Sequence, residues 1–340
     1  MPQNNKSTLF FAAFLVLTIL FVWHAAHSLL VIFAAILLAI FLQALSDLLR
    51  RFVPVSVATS TIIVVVLLLG LIGAGIWLLS PRIVQQVAEL TKDLPRAFAG
   101  IAARFQQSNT GRELIKYVPA IQDLTNHGAG ILTPASWIFS TSVGFIVNIV
   151  IILFIGLYLA LDPERYVRGF LLLIPTRQRG QTKEILTTVA STIRHWIVGR
   201  WLLMLLNAFL TGIGLWLLGV PLALTLGLIA GVLNFVPNLG PIVASIPAIL
   251  IGLLQSPTQA LYVAILYIVL QSIDGYVFTP LVQQRTVNVP PALTIASQLI
   301  MGVLLGAWGI LLATPLLAAS IVIIKNVYVR DSNNGENVPR

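Results

Sequence analysis

From Trp201 to Ile273 the chain reads WLLMLLNAFLTGIGLWLLGVPLALTLGLIAGVLNFVPNLGPIVASIPAILIGLLQSPTQALYVAILYIVLQSI, and no Asp, Glu, Lys or Arg occurs in it. A helix crosses about 30 Å of hydrocarbon with about 20 apolar residues, so this stretch holds more than one membrane segment. Its middle part, 222–254, is too long for one crossing and is interrupted by Asn234-Phe-Val-Pro237-Asn-Leu-Gly240-Pro241. Proline removes a backbone donor and glycine permits non-helical angles; inside a membrane, such a break is tolerated only where protein or a watery cavity receives the freed backbone groups. The stretch therefore reads as a spanning helix, a broken or re-entrant hairpin and a second spanning helix.

The rest of the chain agrees. Of 340 residues, 58% are hydrophobic and only 9% charged, against about 25% charged in a typical soluble domain, and the mean hydropathy is +0.97. Apolar segments fall at 9–23, 28–46, 59–80, 137–160, 201–218, 222–254, 258–278 and 292–326. Runs of this length lack the period-2 alternation of barrel strands, so the predicted fold is all-α, a polytopic integral membrane protein of about eight membrane segments. The segment 292–326 carries Gly306, Gly309 and Pro315 and reads as a second broken hairpin. Leu9–Trp23 and Leu29–Leu45, joined by His24-Ala-Ala-His27-Ser28, are expected to form a helical hairpin.

The net charge of +9 is read as a topology signal, because the basic residues sit in short loops between apolar runs. Lys6, Arg50 and Arg51, the loop from Arg165 to Arg194, and Lys325, Arg330 and Arg340 are expected on the cytoplasmic side of a bacterial inner membrane; nucleic acid is not an expected partner. Within 162–200, Ile185, Leu186, Val189, Ile193, Trp196 and Ile197 share one face opposite Arg179, Lys183 and Arg194, the pattern of a basic helix on the membrane surface. The polar insertion 81–136 carries a heptad-like stripe of Leu90, Leu94, Phe98, Ile101 and Phe105. That stripe suits either a surface-lying helix or a subunit contact.

Enzyme chemistry finds no footing. The chain has no cysteine, which removes thiol nucleophiles and thiolate metal sites, and its histidines, His24, His27, His127 and His195, form no H-E-x-x-H. There is no G-x-S-x-G elbow and no phosphate-binding G-x-x-x-x-G-K loop. A single membrane carboxylate, Asp274, cannot make an aspartyl-protease pair. No cofactor or metal is expected.

What remains is Asp274 itself. An ionisable group within a span costs at least about 2.5 kcal/mol at mid-bilayer, so something must offset it. Gln271 lies one turn earlier on the same helix face, Pro280 follows near the expected helix end, and Arg285 is the nearest cation in sequence. Asp274 is either an interfacial partner of Arg285 or a proton or cation site in a polar pathway. In the second case Asp274, Gln271, Asn234, Pro237, Asn238, Gly240, Pro241 and Pro280 line one route, with Arg285 or Arg200 as ion-pair or gate residues.

The run Gly227 to Pro247 closely resembles the central signature of the autoinducer-2 exporter family of bacterial membrane proteins. Leu218-Gly-Val-Pro221 before it, Gln271 to Pro280, and Gly306-Ala-Trp-Gly309 through Pro315 resemble further elements of that family in the same order. Asp274 stands where the family usually has glutamate, Arg200 where glutamine is expected after Gly199, and Pro290-Pro291 where histidine-proline is common. The resemblance implies an inner-membrane permease that exports a small polar solute such as the quorum-sensing signal autoinducer-2. It equally admits sodium(lithium)/proton antiport, and it implies a homo-oligomer, with a pentamer as one form. A non-transporting membrane scaffold is the alternative of another class. The expected organisation is 1–80, three membrane helices; 81–136, an amphipathic extramembrane insertion; 137–326, a core transport domain; and 327–340, a polar tail.

Overall fold

The computed structural model describes residues 4–75, 77, 85–86, 88–89, 92, 133–283 and 289–329, and no strand occurs among them. The helices are α1 (Asn4–Arg50), α2 (Val57–Gly75), α3 (Thr133–Leu161), α4 (Pro163–Leu172), α5 (Arg179–Leu217), α6 (Ala223–Leu233), α7 (Leu239–Gln255), α8 (Pro257–Ile273), α9 (Thr279–Gln283) and α10 (Pro291–Ile324). Five stretches are long and apolar enough to cross a membrane: Ala25–Arg50, Val57–Gly75, Thr176–Leu217, Pro257–Leu281 and Pro291–Val327. The pair Ile146–Leu161 and Pro163–Leu172, bent by 90°, adds a sixth if taken together. At the bend the Asp162 carboxylate accepts from the Arg165 N–H at 3.2 Å and Pro163 occupies the first turn of α4, a standard helix start. The protein is a multi-pass helical membrane protein.

Two expectations are corrected. The hairpin at 24–28 does not form: α1 runs without interruption from Asn4 to Arg50, because Ala, His and Ser there include neither Gly nor Pro and leave the helical ladder intact. Lys6 and Arg50 thus lie at the two ends of one helix, whereas their placement on one side needed a turn between them. Nor is the basic segment 179–197 a separate surface helix. It is the N-terminal extension of α5, and Ile193, Trp196 and Ile197 are buried against Leu30, Leu37 and Phe41 of α1 and Leu312 and Ala319 of α10.

Small and hydroxylated residues set the helix contacts, as expected where lipid supplies no hydrophobic drive between helices. A Cβ on Gly156 of α3 would lie 3.0 Å from the Ala35 carbonyl of α1, and Ala35 and Ala160 are fully buried. Between α1 and α2 the buried Ser46 hydroxyl meets Ser60 at 3.1 Å and Thr61 at 3.0 Å.

Polar contacts also mark the level on α5 at which α1 ends and the last turn of α5. Arg194 donates to Asp47 of α1 at 2.5 Å, which places Arg50, Arg51 and the basic start of α5 at one end. At the other, Gln255 donates to the Gly219 carbonyl at 3.3 Å and Gln259 donates to the Leu218 carbonyl, capping the last turn of α5 from the α7–α8 corner. Arg194 to Leu218 covers about 36 Å at 1.5 Å per residue, close to a bilayer's hydrocarbon thickness. Helix α6, about 16 Å long, cannot cross and turns back at 234–238, so 222–254 is a re-entrant hairpin that returns to the end it left.

Candidate functional site

The tip of this first hairpin is built from a few enforced backbone states. The Leu239 N–H donates to the Pro237 carbonyl at 2.8 Å across Asn238, whose φ of 65° and ψ of −51° make a γ-turn of the rare, strained hand; asparagine tolerates positive φ better than most residues. Gly240 follows, and a Cβ there would lie 1.9 Å from the Leu233 carbonyl oxygen, so the two arms meet backbone to backbone. On the outer side, a Cβ on Gly227 would sit 2.6 Å from the Gly212 Cα, which lets α6 lie directly on α5. We expect Gly240→Ala to cost at least about 1–3 kcal/mol by overpacking, read as a lower unfolding midpoint in detergent. Gly275→Ala, with nothing within 4 Å of the added carbon, serves as the neutral control.

The second hairpin is α10. Gly306 takes φ 64° and ψ −146°, far from helical values, and the two halves fold against one another there. A Cβ on Gly309 would lie 2.0 Å from the Met301 carbonyl oxygen, and Gln298 reaches Thr314 across the hairpin at 3.3 Å.

The two hairpins meet. Gln298 donates through Nε2 to the Pro237 carbonyl at 3.1 Å, joining the second hairpin to the tip of the first. Beneath this joint lies Arg200, about 9 Å along α5 from Arg194. Its Nε donates to the Phe235 carbonyl at 3.1 Å and its Nη2 to Asn234 Oδ1 at 3.1 Å, while Asn234 donates to the Leu203 carbonyl at 3.4 Å. Phe235 and Trp196 pack as a T-shaped ring pair. Asp274 of the α8–α9 segment lies within electrostatic reach of Arg200. Asn234, Arg200, Asp274 and Gln298 are 1%, 3%, 9% and 0% exposed, so the junction is a polar cluster closed off from the surface.

Asp274 opens a π-helical turn, Asp274–Phe278, in which the Thr279 N–H bonds back to the Asp274 carbonyl. Such turns inside helices are frequent at functional sites, and this one carries the helix through Pro280 to Gln283, beyond the end expected at Pro280. Gln271 lies one turn before Asp274, with its Oε1 buried and without a hydrogen-bond partner among the described residues; the same holds for Gln298 Oε1. Buried acceptors of this kind are costly unless something meets them.

The expected residues thus divide. Asn234, Pro237, Asn238, Gly240, Pro241 and Arg200 belong to or touch the first tip, and Arg200 lies within electrostatic reach of Asp274. Arg285, the alternative partner of Asp274, lies outside the described residues, as do Leu90, Leu94, Phe98, Ile101 and Phe105. From the 81–136 insertion, Gln86 Oε1 accepts from the Thr225 N–H at 3.2 Å and hydroxyl at 2.7 Å, capping the start of α6, which has no side-chain cap of its own. Sequence reasoning passed over Gln298 and Thr314. The signal available was a lone carboxamide in an apolar run and a threonine before Pro315.

The sequence pattern of AI-2E family transporters matches residues 9–329. The chain belongs to the AI-2E transporter family. It is 26% identical over 251 residues to YueF of Bacillus subtilis strain 168, a match covering 73% of this chain and 66% of that protein. With YrrI of the same organism it shares 31% identity over 171 residues, covering 50% of this chain and 48% of the relative. Both carry provisional names as transport proteins. PerM of Escherichia coli K12, provisionally named a permease, is 24% identical over 251 residues, 71% of this chain and 68% of its own. The matched stretches span less than two thirds of the lengths of YueF and YrrI.

Proposed function

We propose that this chain is a membrane transporter that exports a small polar solute, with autoinducer-2 as the solute the family name suggests, and that the route passes the junction of the two hairpins. The observation that carries the reading is the bond from Gln298 to the Pro237 carbonyl beside Arg200 and Asp274. Interrupted helices whose tips converge inside the membrane around buried polar groups are a recurrent way to build a transport site. The span Pro257–Leu281, made of α8, the π-turn and α9, starts at the Leu218 end of α5 and reaches Leu281, which shares a groove with Arg51 and Arg194. Pro291 begins the second hairpin ten residues later, so the two hairpins insert from opposite ends, and each gates the junction from its own side.

Asp274 favours a second reading, sodium(lithium)/proton exchange, because a carboxylate in a spanning segment is a group that can trade a proton for a cation. On either reading the protein resides in a bacterial inner membrane with the Arg51–Arg194 end cytoplasmic, by the bias of Lys and Arg toward that side. A homo-oligomer follows from the family likeness. Two experiments test the proposal. In this cysteine-free chain, Asn238→Cys should react with a small water-soluble thiol reagent, and inertness in the folded protein counts against a watery junction. Proteoliposomes should show autoinducer-2 flux; sodium-driven proton movement without it selects the antiporter, and neither signal selects the scaffold.

A further inference from the structure

A groove of about 500 Å³ opens between the end of α1 and the middle of α5, away from the hairpin junction and at the end marked by the Asp47–Arg194 pair. Its volume lies within the usual range of about 300–1,000 Å³ for small-ligand sites. Two chemistries are separated in it. Leu48, Val198, Leu202 and Leu281 form an exposed apolar wall inside the spanning part of the bundle. Arg51, Arg194 and His195 stand at the groove where α1 ends, at the level where a bilayer places its headgroups.

We infer that this groove binds an anionic phospholipid of the leaflet on the Arg51 side, its phosphate on Arg51 and His195 and part of an acyl chain along Leu48, Val198, Leu202 and Leu281. Arg194 has one guanidinium nitrogen on Asp47, which fixes its position and leaves its other donors for the phosphate. His195 donates from Nδ1 to the Ser191 carbonyl at 2.7 Å, which leaves Nε2 for the groove, where it donates to a phosphate oxygen in the imidazolium form. Arg51 has no carboxylate within ion-pairing distance among the described residues. A freely dissolved polar solute is disfavoured, because the leucine and valine wall offers it no hydrogen bonds in place of those it leaves in water. A zwitterionic lipid matches the wall but brings a cation to the arginines. An anionic headgroup meets both halves, in the manner of basic pockets between membrane helices.

The test uses the full chain in detergent, with bound lipid counted by native mass spectrometry after titration with phosphatidylglycerol, phosphatidylcholine or inorganic phosphate. Phosphatidylglycerol should be retained in preference to phosphatidylcholine, and millimolar inorganic phosphate should not displace it. Arg51→Gln should weaken retention by about fivefold, the effect of one arginine near an anionic surface. Leu202→Trp should block the apolar wall and abolish retention, and Leu281→Trp provides the same test if the first variant does not fold. Equal retention of phosphatidylcholine, an unaffected Arg51→Gln, or retention that survives a folded groove-filling variant each overturns the inference. Displacement by inorganic phosphate does so as well, and would point to a site for a free anion.

Discussion

Replacing Arg200 with methionine should remove about 3–5 kcal/mol of stability and leave little correctly assembled protein, the largest structural effect expected of any single substitution in the chain. The side chain is buried, and its removal strands the Asn234 side-chain oxygen and the Phe235 carbonyl and takes away the positive charge within electrostatic reach of the Asp274 carboxylate. Each stranded acceptor costs desolvation without return, and the charged one costs most. The hairpin tip should loosen, since Arg200 holds it from below. The measurement is the unfolding midpoint and the monodisperse fraction in detergent. Adding Asp274→Asn to Arg200→Met removes the unpaired charge and should recover part of the loss, so the double-mutant cycle should close with a coupling of about 0.5–3 kcal/mol. A single Arg200→Met that melts like the wild type would show that the tip does not depend on Arg200.

The pattern of legible and hidden features has physical causes. The two hairpins were readable because Pro237, Gly240 and Pro241, and Gly306 with Gly309, cluster in long apolar runs, and such clusters favour a break; the structure places the turns at 234–238 and at Gly306, while the isolated Pro247 and Pro315 stay inside helices. Family membership was readable from the same residues, since the enforced tip leaves few alternatives at each position. Helix continuity was less legible. The step from His24 to Ser28 is polar enough to suggest a turn, but polarity alone does not break a helical ladder, and α1 continues through it. Likewise the basic face of 179–197 has the pattern of a surface helix, yet one apolar stripe serves equally well against other helices, and Ile193, Trp196 and Ile197 use it so.

Long-range pairing was the least legible. Arg285 is 11 positions from Asp274 and Arg200 is 74, so sequence proximity pointed to Arg285, which lies outside the described residues; the packing of α8 alongside α5 brings Asp274 within electrostatic reach of Arg200. Gln298 was hidden for a similar reason. A carboxamide in an apolar run acquires meaning once the Pro237 carbonyl is seen beside it.

The central claim is that the hairpin junction is a transport site built around Asp274, and its most direct test is flux through Asp274→Asn in proteoliposomes. In this variant Arg200 retains Asn234 and the Phe235 carbonyl as acceptors but loses its nearby counter-charge, so some stability is lost and flux is compared per correctly assembled protein. The account predicts that autoinducer-2 flux, or sodium-driven proton movement if that is the activity, falls by at least about tenfold, the effect of losing roughly 1.4 kcal/mol or more at the rate-limiting step. A folded, assembled Asp274→Asn protein that transports at the wild-type rate would contradict it.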